Sequence, residues 1–86
     1  MRKILFENNK NVIAKALKLS RIKNNLTQAQ LAAKMQTMGA NVERQTISKI
    51  ENNARFVTDY ELACFCIIPK TNPEELLWDF YRKYNK

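Results

Sequence analysis

Leu26-Thr27-Gln28-Ala29-Gln30-Leu31-Ala32-Ala33-Lys34-Met35, a Gly-containing break, and then Arg44-Gln45-Thr46-Ile47-Ser48-Lys49-Ile50-Glu51-Asn52 form the stretch whose reading decides the fold. Its apolar residues recur at helical spacing, Leu31, Ala32 and Met35 in the first part and Ile47 and Ile50 in the second. Thr27 can cap the amides of a first turn, and Gln30 sits where a capping-box Gln reaches back. Gly39 supplies a left-handed stop, after which Asn41 or Glu43 opens the next helix. Two short amphipathic helices joined by a connector follow. The second directs Ile inward and offers Arg, Gln, Ser and Lys outward.

Working outward, one Gly and two Pro leave little room for strands. An all-α domain is expected. A helix from about Asn9 to Asn24 places Ile13, Leu17, Ser20 and Arg21 on one stripe, widened by Val12, Ala16 and Leu19, with Lys10, Lys15, Lys18 and Lys23 outside it. Small Ala32 and Ala33 would permit a close helix crossing. Downstream, Thr58-Asp59-Tyr60-Glu61 is a capping box that introduces a fourth helix through Leu62, Phe65 and Cys66, ended by Pro69. Asn72-Pro73-Glu74-Glu75 repeats the logic for a fifth, with Asn as cap and Pro at the first helical position. That helix carries Leu76, Leu77, Phe80 and Tyr84 at helical spacing and Trp78 and Tyr81 on a neighbouring face, more apolar surface than one contact stripe consumes.

The 86 residues have the length of one domain, read as 1–86, with residues 1–8 a flexible N-terminal arm, helices one to four over 9–69 and a C-terminal helix over 72–86 available for a dimer contact. Charge is unevenly spread: residues 1–58 hold 11 basic and 3 acidic side chains, and residues 59–86 hold 4 and 5. A basic field on the segment with the helix pair suits a polyanion, through phosphate neutralisation and counterion release, where an evenly basic surface would not point to one. Cys64 and Cys66 lie on different faces of a helix, and with no His anywhere they read as reduced thiols rather than a disulfide or metal site. The first residues are too short for a signal peptide, and no apolar run approaches the ~20 residues needed to span a bilayer. A cytoplasmic protein is expected, with no cofactor and no membrane partner. Catalysis is the least supported class, since there is no Gly-rich phosphate loop and no clustered metal ligands, and Glu74-Glu75 at a helix start is explained by capping.

Leu26-Thr27-Gln28-x-x-Leu31-Ala32-x-Lys34-Met35 followed by Arg44-Gln45-Thr46-Ile47-Ser48-Lys49-Ile50-Glu51-Asn52 resembles the phage Cro and repressor-type helix-turn-helix family, also called the xenobiotic-response-element family. The resemblance extends over about residues 12–77. It implies a compact five-helix, lambda-repressor-like domain in which the helix beginning near Glu43 lies in the major groove of double-stranded DNA. Arg44 and Gln45, at the start of that helix, are candidates for base contacts, because Arg can bond G bidentately and Gln can do so with A. Ser48 and Lys49 lie one turn further along the same edge, and Lys49 reaches either a base edge or a phosphate. Thr46, Gln28 and Asn52 match family positions that touch the phosphate backbone, where a helix N-terminus adds its dipole. Arg55 is a further phosphate candidate, with a solvated face as its alternative. Arg21 and Glu51 match a pair that links the first helix to the end of the third.

The sequence departs from the family pattern in three places. Gln36 to Asn41 makes the connector about four residues longer than the usual tight turn, roughly one helical turn, so an elongated second helix or a long turn is expected. Glu43 replaces the usual Ser or Thr cap; its carboxylate favours the helix dipole, repels nearby phosphates and can accept from a cytosine amino group. Pro69 shortens the fourth helix. The expected function is a sequence-specific regulator of transcription, a repressor acting as a homodimer and lacking a small-molecule effector domain. The alternative is a protein-interaction module, such as the antitoxin half of a toxin pair, using the aromatic C-terminal helix.

Overall fold

Positive φ at Asn25, Gly39, Asn53 and Lys70 punctuates the chain, and helices run between these stops. In the computed structural model, which describes residues 9–84, the helices are α1 (Ala14–Lys23), α2 (Gln28–Thr37), α3 (Arg44–Glu51), α4 (Asp59–Ile67), α5 (Pro73–Leu76) and α6 (Trp78–Tyr84). No strand occurs among the described residues, and the architecture is all-α as expected. The arm expected over residues 1–8 and the last two residues of the expected 72–86 helix lie outside the described residues.

The stops share one hydrogen-bond pattern. After α1, Asn25 N donates to Ile22 O at 3.0 Å and Leu26 N to Arg21 O at 3.1 Å. After α2, Gly39 N donates to Gln36 O at 3.0 Å and Ala40 N to Met35 O at 3.0 Å. After α3, Asn53 N donates to Ile50 O at 3.1 Å and Ala54 N to Lys49 O at 2.7 Å. These are Schellman turns, which need a left-handed residue just past the helix, a conformation that Gly adopts freely and Asn better than most. The helix starts are equally explicit. Thr27 Oγ1 accepts from Gln30 N at 3.0 Å while Gln30 Oε1 accepts from Thr27 N at 2.8 Å, and Thr58 with Glu61 and Asn72 with Glu75 cap α4 and α5.

Between these ends, Leu17 of α1, Leu31 and Met35 of α2, Ile47 and Ile50 of α3, Phe65 of α4 and Leu76 of α5 are fully buried together. α3 packs on both α1 and α2, and α5 bridges α1 and α4. Removing apolar surface of this kind from water contributes about 1.5–3 kcal/mol per large side chain. α3 is thereby held against two neighbours.

Several expectations need correction. The first helix starts at Ala14 rather than Asn9, because Asn11 Oδ1 accepts from Ile13 N at 3.1 Å and its amide bonds elsewhere, the local competition by which Asn disfavours helix. Leu19 does not widen the core stripe: it is 58% exposed. Ala32 is buried at a crossing but Ala33 is exposed. The fifth helix is divided at Leu77 (φ −99°, ψ 14°), giving six helices among the described residues; Leu77 N to Pro73 O at 2.9 Å and Tyr81 N to Leu77 O at 3.0 Å carry the direction across the break. The break leaves Leu76 fully buried and Trp78 at the surface. The long connector is present over 38–43 and is folded onto the core through buried Ala40 and Val42, with Gln36 Nε2 donating to Val42 O at 2.6 Å. Cys64 is buried and Cys66 half-buried, and both are free thiols; burial pushes the Cys66 thiol up.

Candidate nucleic-acid interface

The interface is built from the amphipathicity of α3. Ile47 and Ile50 are fully buried, so the opposite side of the helix must face solvent. At about 100° per residue, Gln45, Lys49 and Asn52 fall within roughly 60° of one another on that side. All three are exposed, and Ser48 sits half-buried on their flank. Among the described residues, the side chains of Arg44, Gln45 and Lys49 have no hydrogen-bond or ion-pair partner. The polar groups of Gln45 and Lys49 on this edge are therefore available to a ligand. Arg44 is placed differently from Gln45. It borders a shallow cleft with Ile22, Leu26, Thr27, Gln28 and Ala29, beside the start of α2.

A buried ionic lock fixes α3 relative to α1 and α2. Arg21 Nε donates to Glu51 Oε2 at 2.7 Å and Nη2 to Oε1 at 3.1 Å, while Nη1 donates to Leu26 O at 2.8 Å. The Glu51 side chain is 2% exposed and that of Arg21 11%. A charge pair this dry is tolerated because the fork geometry satisfies both carboxylate oxygens. The pair expected between the first helix and the end of the third is thus present. Gln28 joins it, Nε2 donating to Glu51 Oε1 at 3.1 Å. Gln28, read from the sequence as a phosphate contact, spends one amide hydrogen inside the protein and retains a second, together with its first-turn backbone N–H.

The other site residues are also partly engaged. Thr46 Oγ1 accepts from Glu43 N at 3.5 Å, so Thr46 serves the start of α3 and the Glu43 residue is left exposed. Asn52 Nδ2 donates to Ser48 O at 2.9 Å and caps the end of the helix. Arg55 Nη1 bonds Glu61 Oε1 at 2.9 Å and Phe56 O at 2.9 Å, and its side chain is 36% exposed. Burial pushes the Glu61 carboxyl up, but the hydrogen bond and charge of Arg55 and the bonds from Thr58 outweigh it, holding the group below the ordinary glutamate value. Arg55 is thus a structural partner of the α4 start as well as a basic group beside α3.

A second clamp, which no sequence motif announces, holds the end of α3. Asn53 Oδ1 accepts from Lys10 N at 2.9 Å and Asn11 N at 3.2 Å, while Asn11 Nδ2 donates to Ile50 O at 3.0 Å and Arg55 O at 3.0 Å. Asn53 Nδ2 donates to Asn9 Oδ1 at 2.5 Å. The segment before α1 is thereby stitched to the end of α3. Its only trace in the sequence is a pair of Asn-rich stretches 43 residues apart, between which nothing local draws a link.

A helix-turn-helix family profile matches residues 17–59, the segment that runs from the buried Leu17 of α1 through α2 and α3 to the start of α4. The chain belongs to the helix-turn-helix family. Neither curated proteins nor solved structures yielded a match. As a helix-turn-helix protein of the xenobiotic-response-element type, it is a DNA-binding regulator, and its class is not typically enzymatic. Among the described residues there is no group of three or more potential metal ligands, and no helix is long and apolar enough to cross a membrane.

Proposed function

We propose that this helix-turn-helix protein is a sequence-specific repressor of transcription that reads the major groove with the α3 edge and binds as a homodimer to an inverted repeat. The observation that carries the reading is the exposed pair Gln45 and Lys49 of α3, whose side chains are free of partners among the described residues, on a helix anchored by the Arg21–Glu51–Gln28 lock. Gln45, Arg44, Ser48 and Lys49 contact bases. Gln28, Thr46, Asn52 and Arg55 position the backbone, Gln28 through its remaining amide hydrogen and main chain. Exposed Glu43 accepts from a cytosine amino group and disfavours other bases at that step. Regulation comes from abundance and operator arrangement, in the cytoplasm. Occupying a promoter blocks polymerase sterically.

The test is selection of bound sequences from a random duplex pool. A pseudo-palindrome with half-sites about one helical turn apart supports the reading. Recovery of no preferred sequence sinks it. The exposure of Trp78 supports the second reading, a protein-interaction module built on the C-terminal helix. Absent DNA binding at low salt, with a Trp78 fluorescence shift only on adding a protein partner, would favour that reading instead.

A further inference from the structure

We propose that Lys10 is a further contact to a DNA phosphate, held beside the end of α3 by the Asn11–Asn53 clamp, and that Asn53 is the residue that positions it. This contact rests on the DNA-binding reading and adds to it a residue outside the matched segment 17–59. Lys10 is 43 residues from Asn53 in the chain, yet its backbone N–H donates to Asn53 Oδ1 at 2.9 Å. Four more hydrogen bonds fasten the same corner: Asn11 N to Asn53 Oδ1, Asn53 Nδ2 to Asn9 Oδ1, and Asn11 Nδ2 to Ile50 O and to Arg55 O. The backbone of Lys10 is therefore fixed against α3. Its residue is exposed, and among the described residues its ammonium has no hydrogen-bond or ion-pair partner.

The charges around this corner single out Lys10. Arg55 is paired with Glu61 at 2.9 Å and Arg21 with Glu51 at 2.7 Å, so neither pair brings net charge. Lys49 stands on the edge assigned to base contacts. A helix C-terminus carries negative partial charge, so a phosphate held at Asn52 needs a cation beside it. Lys10 supplies that cation, a point charge on a flexible stem whose root the clamp has placed. Asn53 is a side chain that the backbone alone does not require. Its φ of 58° is the left-handed conformation that Gly adopts without steric cost, and a Gly would end α3 equally well. What Asn adds is an amide whose oxygen and nitrogen both bond the segment before α1.

The experiment is anisotropy titration of the full chain against a duplex of random sequence and against the selected site, each over a series of salt concentrations. K10Q leaves the clamp intact, because Lys10 enters it through its backbone N–H. It should weaken binding to both duplexes alike, by about eightfold per bound chain at 0.1 M salt, and make the line of log affinity against log salt shallower by about 0.9 per bound chain. K15Q, on the α1 flank that faces α5, should leave the slope unchanged. N53G keeps the helix stop and removes the amide. With helical content unchanged it should reproduce the K10Q loss in part, and K10Q/N53G should bind no more weakly than K10Q, since the two act through one contact. Losses that add would give Asn53 a merely structural role and overturn its positioning of Lys10. A K10Q slope equal to that of wild type overturns the phosphate contact and leaves the DNA reading standing. A wild-type chain that binds neither duplex at low salt overturns both.

Discussion

Arg44 and Gln45 are neighbours in the first turn of α3, yet one borders the cleft beside α2 and the other stands on the open edge. Arg44→Ala and Gln45→Ala should each weaken the selected site by ~1–3 kcal/mol while leaving non-specific duplex binding nearly unchanged, as read by anisotropy titrations at fixed salt. Equal losses on every sequence would make the residue a phosphate contact. Glu61 makes a prediction of another kind. Its folded value lies below the unfolded one, so its contribution to stability is fully present above the unfolded value and is lost as pH falls through the folded one. Urea midpoints of the wild-type chain should therefore drop between about pH 5 and pH 3, and Glu61→Gln, lower at neutral pH, should show a shallower acid slope. Parallel slopes would remove Glu61 as the origin.

The elements are joined by side chains whose loss has separable consequences. Glu51 receives three side-chain hydrogen bonds, two from Arg21 and one from Gln28, at a site closed to water. Glu51→Ala should cost about 3–5 kcal/mol by stranding the Arg21 charge, visible as a large fall in the urea midpoint. An effect under about 1 kcal/mol would mean that Arg21 finds water at little cost. The turn after α2 offers a cleaner measurement. Gly39 has φ +91°, and a Cβ there would meet nothing within 4 Å, so Gly39→Ala tests the backbone alone. Its cost should be about 1–2 kcal/mol, with DNA specificity retained.

At the scale of the whole molecule, the basic excess is confined to the part of the chain that carries α3, residues 1–58. For a dimer making 6–10 phosphate contacts, affinity should fall by about 10³–10⁵ between 50 and 200 mM salt, along a straight line of log affinity against log salt. A flat response would exclude phosphate neutralisation as the source of binding. Legibility in the sequence followed the range of the interaction. The Thr27, Thr58 and Asn72 caps, the Gly39 stop and the buried Ile47 and Ile50 act within one turn or one period, so the sequence by itself determined the starts of α2, α4 and α5, the stop after α2, the inward face of α3 and the family. Tertiary packing decided what depends on residues far apart in the chain. It divided the last helix at Leu77, drew Gln28 onto Glu51, set Arg55 on Glu61 and tied Asn11 to the end of α3. It also left Leu19 outside, because a helical stripe states which residues share a face but not how much of that face its neighbours cover. Hydrogen-bond demand in a buried place is satisfied by whichever donor the fold delivers, and no local pattern encodes that choice.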